Sequence, residues 1–269
     1  MRFFQIHVYP GLAAKIAMPT LLFLVSIVAY LFVADARHKE NPDDQVVPTL
    51  SQMIDGFSRA TFEADRKGNY RLPIDTLASG KRFFISLAFL MLAVVLGLHM
   101  GIFPYMDLLL FRFVTFFDKI PALALLPILF IVFGLGELSK VALILLGVFP
   151  TITLDTYLRT KAVPREQIIK AFSLGAGNMA VAYRVVLPQI WPKVLDTIRL
   201  NFKAMILFLI AGESLAATAG LGYRIFVLRR YIAMDIIIPY VLYMSMLAFI
   251  GDLAVSYWVK KRYRWVEAS

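Results

Sequence analysis

The residues best suited to directed work form a run of small, apolar and basic side chains. They are Ile168-Ile169-Lys170-Ala171-Phe172-Ser173-Leu174-Gly175-Ala176-Gly177-Asn178, with Glu166 shortly upstream. The spacing predicts a short helix with Ala171 and Gly175 four residues apart on one face, ended by Gly175 and Gly177. A second helix, capped by Asn178, is expected to run to Leu187, where Pro188 and Pro192 stop it and start the next. A small-faced basic knob of this kind suits a groove on another protein; an ordinary hairpin would read the same way. This is docking chemistry rather than bond-making. The chain has no Cys, which excludes thiolate metal sites and thiol catalysis, and its three His (His7, His38, His99) are scattered. Gly80-Lys81-Arg82 comes nearest to a phosphate loop but lacks its Ser/Thr and upstream Gly. An enzyme is not expected, and ATP cannot be bound by that route.

A second set of informative residues comprises the ionisable ones within or near apolar runs: Asp155, Lys203, Glu213 and Asp252. Charges are costly in lipid and should face a cavity or one another. Glu213 is a candidate to line a passage or its gate, together with the nearby Gly220, Gly222 and Tyr223. Lys203 either attracts an anion or snorkels toward headgroups. Asp252 is expected to pair with a neighbour. Arg224, Arg229 and Arg230 could meet an acidic protein, an anionic solute or lipid headgroups.

The elements that position these residues must sit mostly in lipid. Of the 269 residues 60% are hydrophobic and only 17% charged, with a mean hydropathy of +0.73; soluble domains carry about 25% charged residues. Six spans are expected, at Met18–Ala34, Phe83–Phe103, Ile120–Leu135, Val141–Leu158, Val194–Ala217 and Ile236–Val259, with residues 104–119 lying at the interface. The net charge of +10 sits at the ends of apolar runs, which points to an anionic membrane face and not to nucleic acid. The basic segment 159–193 and the tail Lys260, Lys261, Arg262, Arg264 read as cytoplasmic, and Arg2, His7 and Lys15 lead into the first span. With six spans both termini are cytoplasmic. Loop 35–82 balances eight acids with eight bases and reads as exported, and Val47–Phe62 is expected to lie on the outer membrane surface. The basic loop holding Arg224, Arg229 and Arg230 opposes this topology. Ala34-Asp35-Ala36 resembles a signal-peptide cleavage site, an alternative reading of the first span. Gly134, Gly147, Pro150 and Pro239 could permit bends.

The knob resembles the EAA loop of ABC-importer permeases. Ala171, Gly175, Val185, Leu187 and Pro188 match that pattern in register, while Ile169 stands in place of its Glu and Lys170 in place of its first Ala. Ile120–Pro127 with Phe133–Lys140, and Glu213–Tyr223 with its Gly-Leu-Gly-Tyr ending, are similar to the nitrate/sulfonate/taurine/bicarbonate-type permeases. The resemblance implies an all-α integral membrane protein of the type I (MetI-like) permease fold. Residues 1–81 would hold the first helix and an external loop, and residues 82–269 the core with a coupling segment at 159–193. It further implies a second permease subunit as a homodimer, two ATPase subunits carrying ATP and Mg, an external binding protein, and an inner-membrane location. This chain itself would bind no cofactor or metal. The substrate pathway would serve a small anionic solute. Glu166 could substitute for the missing docking Glu. The alternative is a secondary transporter driven by an ion gradient, which predicts inverted repeats that the sequence does not display.

Overall fold

The computed structural model describes residues 11–41, 44–64 and 68–266; Arg2 and His7 of the charge pattern lie outside them. The described residues form helices and one isolated bridge, Ala64 with Tyr70. The absence of water in a bilayer explains this architecture, because a helix satisfies its backbone polar groups internally.

Helix α1 (Leu12–Glu40) is apolar almost all round, and its span is exposed along its length. It runs unbroken through Ala34-Asp35-Ala36 and is tied down near its end, where the Tyr30 hydroxyl donates to the Pro48 carbonyl at 2.7 Å. Helix α2 (Leu50–Phe62) starts at a capping box between Thr49 and Gln52. It does not merely rest on the membrane surface: Met53, Gly56 and Ala60 are buried. A Cβ on Gly56 would lie 2.6 Å from the Asp235 carbonyl of the last helix, so the two backbones touch there.

Helix α3 (Arg71–Ile102) is the bundle's axis and begins well before the expected Phe83. It packs along α6 (Glu137–Lys161), and the contact is set by Gly97 and Gly101, one helical turn apart. A Cβ at Gly97 would collide with the Thr153 carbonyl, and one at Gly101 with the Thr160 side chain. Thr153, Thr156 and Thr160 return their hydroxyls to carbonyls four residues back, which leaves a surface of small groups for α3 to approach. Around this pair Leu90, Val94, Leu98, Ile144, Val148, Ile152, Val186, Val194 and Met205 form the main core.

Between α3 and α6 lie α4 (Pro104–Asp118), a tight turn Ala122–Leu125 and α5 (Leu126–Phe133). The two helical pieces bend by 84°, so the expected interfacial helix and third span are the arms of one broken element. Helix α7 (Arg165–Ser173) follows α6. The chain then continues without interruption through α8 (Asn178–Ala180), a wide π-helical stretch Val181–Val186 and α9 (Leu187–Leu200). Pro188 and Pro192 therefore do not stop a helix. Pro188 falls in the first turn of α9, where the missing N–H costs nothing, and the π turn ahead of it absorbs the change of register. The expected fifth span is divided at Asn201 into α9 and α10 (Phe202–Ala216); the Asn201 side-chain amide donates back to the Thr197 carbonyl at 2.8 Å. Helices α11 (Leu221–Arg229) and α12 (Met234–Arg262) complete the chain. Among the described residues four helices are long and apolar enough to cross a membrane, five if the bent pair counts as one span, against the six expected.

Candidate functional site

The first of two special regions is the knob. Helix α7 has no buried residue. Ile168, Ala171 and Ala176 pack partly against the main core, whereas Ile169, Phe172, Leu174 and Met179 are exposed. The turn after α7 is fixed by two hydrogen bonds, from the Ala176 N–H to the Ala171 carbonyl (3.0 Å) and from the Gly175 N–H to the Phe172 carbonyl (2.9 Å). This pair defines a Schellman cap, and its glycine sits at φ +83°. Open space surrounds Gly175, so backbone conformation and not crowding demands it. Gly175 lies past the helix end and Ala171 faces the core. The surface offered outward is therefore the apolar set Ile169, Phe172, Leu174 and Met179, with Glu166, Lys170, Ser173, Gly177 and Asn178 also exposed. Leu187 and Pro188 lie at the start of α9, inside the bundle's continuous helix. Tyr183 reaches α3 through His99 Nε2 at 3.3 Å.

The second region is a knot of charge between α3, α6, α10 and α11. Asp75, Ser79, Arg82 and Ser86 recur at helical spacing and form a buried polar stripe on α3. The Arg82 guanidinium lies at the centre. Its Nη1 donates to Glu213 Oε1 at 2.6 Å and to the Ala219 carbonyl at 2.9 Å. Its Nε and Nη2 grip both oxygens of Glu137 at 2.5 and 2.7 Å, a bidentate fork. Lys140 Nζ reaches the same Glu137 at 3.3 Å and the Leu135 carbonyl at 3.4 Å. Three successive N–H groups at the start of α11 are taken by side chains from other helices. Gly220 donates to Asp75 (3.0 Å), Leu221 to Ser79 Oγ (2.8 Å) and Gly222 to Glu213 (2.8 Å). Arg224 closes the set on Asp75 at 2.8 Å. Gly220, at φ +141°, lets the chain pass so close that a Cβ would lie 2.5 Å from the Glu213 carboxyl carbon.

The sequence singled out Glu213, Gly220 and Gly222, and these three meet in the knot; the Tyr223 ring lies beside them, with the Arg224 guanidinium 5.8 Å from its centre. Glu213 is completely buried. Lys203 lies apart and is exposed. Asp155 pairs with Arg159 and accepts from Thr197, and Asp252 pairs with Arg199 at 2.8 Å. Asp75, Ser79, Arg82, Glu137 and Lys140 join the site through the structure. The period of Asp75, Ser79, Arg82 and Ser86 was the available signal, because four polar residues on one helix stripe need partners if that helix enters the bundle.

Comparison with known proteins follows the same lines. The family model for binding-protein-dependent transport system inner membrane components matches residues 89–264. The taurine transport system permease protein TauC of Escherichia coli (strain K12) is 31% identical over 179 residues, 66% of this chain and 65% of that protein. The chain thus spans just under two thirds of that relative. A protein of Methanocaldococcus jannaschii described as an ABC transporter permease is 26% identical over 257 residues, 94% of this chain and 92% of that one. The formylaminopyrimidine transport permease protein ThiX of Halalkalibacterium halodurans is 30% identical over 138 residues, 50% of this chain and 55% of that protein.

Proposed function

Because the chain belongs to the family of binding-protein-dependent transport system inner membrane components, we propose that it is the permease subunit of an ATP-driven importer. In this reading two copies build the passage, two separate ATPases carry ATP and Mg, and an external binding protein delivers a small anionic solute of the sulfonate kind. The relative named for taurine transport supports that choice of solute. Both termini and the knob face the cytoplasm.

The observation that carries the reading is the outward apolar edge of α7 and its following turn. Ile169, Phe172 and Leu174 are 62%, 45% and 81% exposed, on a basic segment that lies beyond the spans. Ile169 stands where a docking Glu is expected, so the ATPase contact is made by apolar burial and by Lys170 rather than by an acid. Nucleotide-driven closure of the ATPases moves α7, and α7 is joined to the core through Ile168, Ala171 and Ala176. Glu213, Gly220 and Gly222 serve the passage by holding the start of α11 in place. Lys203 faces the headgroups.

A single cysteine tests the docking, since the chain has none of its own. A Phe172→Cys permease with a photoactivatable maleimide should crosslink to the co-expressed ATPase, and a Lys119→Cys control should not. Labelling of lipid alone from position 172 would overturn the assignment.

A further inference from the structure

We propose that Arg82 and Lys140 form an anion site at membrane depth, that Glu137 fills this site in the resting protein, and that the acidic group of the transported solute, a sulfonate or carboxylate, displaces it. The inference rests on the transporter reading above and adds a binding site to it.

Charge balance comes first. Asp75 and Arg224 cancel one another at 2.8 Å. The remaining groups of the knot are two buried cations, Arg82 and Lys140, with side chains 5% and 3% exposed, and two acids of opposite exposure. Glu213 is 0% exposed and held by Ser79, Arg82 and the Gly222 N–H. Glu137 is 61% exposed and, among the described residues, has the two cations as its side-chain partners. Without Glu137 the buried groups carry one uncompensated positive charge, which a low-dielectric site does not tolerate. Some anion must complete the knot, and it must come from the exposed side.

Geometry then specifies the anion. The Nε and Nη2 edge of Arg82 presents two parallel donors, the arrangement that matches two oxygens of a carboxylate or sulfonate. The Lys140 ammonium approaches the same carboxylate from a second side at 3.3 Å. Glu137 is the first residue of α6, and its side chain is 61% exposed. The carboxylate can therefore leave its cations toward the open side without unpacking a neighbour. It acts as a tethered copy of the ligand.

The test uses the full-length chain in phosphatidylcholine nanodiscs, without ATPase or binding protein, titrated with methanesulfonate by calorimetry. Zwitterionic lipid removes anionic headgroups as competitors; a second titration with phosphatidylglycerol present separates a lipid ligand from a solute. Glu137→Gln should bind methanesulfonate about tenfold more tightly than the wild type or better, since a charged hydrogen-bonded competitor has gone. The Glu137→Gln, Lys140→Met double variant should return to wild-type weakness. Equal binding by Glu137→Gln and wild type overturns the proposal, as does tightening that appears only with phosphatidylglycerol. If Glu137→Gln does not yield monodisperse protein, Glu137→Asp, too short to bridge both cations, should still bind more tightly than wild type, and equality again overturns it. Failure here leaves the ATPase docking untouched, and failure of the crosslink leaves this site untouched.

Discussion

Glu213 and Glu137 grip the same guanidinium from the two sides of a solvent boundary, and that asymmetry decides what each contributes to stability. Removing one partner from a buried, hydrogen-bonded ion pair costs about 3–5 kcal/mol, because the survivor stays charged and dry. Glu213 is such a partner: its loss also orphans the Gly222 N–H and leaves Ser79 without its acceptor. Glu137 is mostly exposed, so a salt anion from solution can take its place, and its removal should cost roughly 1 kcal/mol. Thermal unfolding in detergent should therefore show a much larger fall in Tm for Glu213→Gln than for Glu137→Gln. Equal falls would mean that both acids are structural and would contradict the division of roles drawn from their exposure.

At the scale of elements, helix α7 is ended by a single residue whose backbone lies where L side chains rarely go. Replacing Gly175 by Ala should weaken the turn by about 1 kcal/mol, while Asn, which tolerates the left-handed region, should lose much less. Nothing crowds the position, so conformation, not size, should rank the variants. The yield of permease–ATPase complex should fall in the order Gly, Asn, Ala, and an order set by side-chain volume, with Ala above Asn, would contradict this. That glycine and the helix it ends were legible in the sequence because local signals, a glycine after a short amphipathic run, specify them. The start of α3 was not. Asp75, Lys81 and Arg82 made the approach to Phe83 look like loop, since hydropathy reports residue type and is blind to pairing: Asp75 has its partner Arg224 149 residues away, and Arg82 has Glu137 and Glu213 55 and 131 residues away. The division at Asn201 was hidden for a related reason. The stretch carries no Gly or Pro near the break, and a side chain returned to the Thr197 carbonyl accompanies it. The close approach of α3 to α6 had a visible trace in Gly97 and Gly101, but a glycine pair names no partner until Thr153 and Thr160 are seen opposite.

For the whole molecule, orientation follows from where bases outnumber acids. The segment after α6 carries Arg165, Lys170 and Arg184 against Glu166, and α12 ends in Lys260, Lys261 and Arg262. By residue count the loop before α12 opposes them, with Arg224, Arg229 and Arg230. Yet Arg224 is neutralised by the buried Asp75, and Asp235 at the far side of that loop is held by Arg59 of α2. The ends of α2, α3, α11 and α12 thus meet as one locally paired layer in which the two ion pairs leave a balance of two bases, Arg229 and Arg230, against a balance of three in residues 162–193, where Arg165, Lys170, Arg184 and Lys193 face Glu166 alone. The knob and the α12 terminus keep the stronger signal, and the positive-inside bias then directs both to the cytoplasm. Single-cysteine reporters on the cysteine-free chain read this directly in intact cells. Tyr231→Cys, on an exposed side chain in the paired layer, should react with a membrane-impermeant maleimide. Ser173→Cys and Lys261→Cys should react only after permeabilisation. The reverse pattern would put α7 on the same side as a binding protein and remove its access to nucleotide, and the coupling role would fall with it.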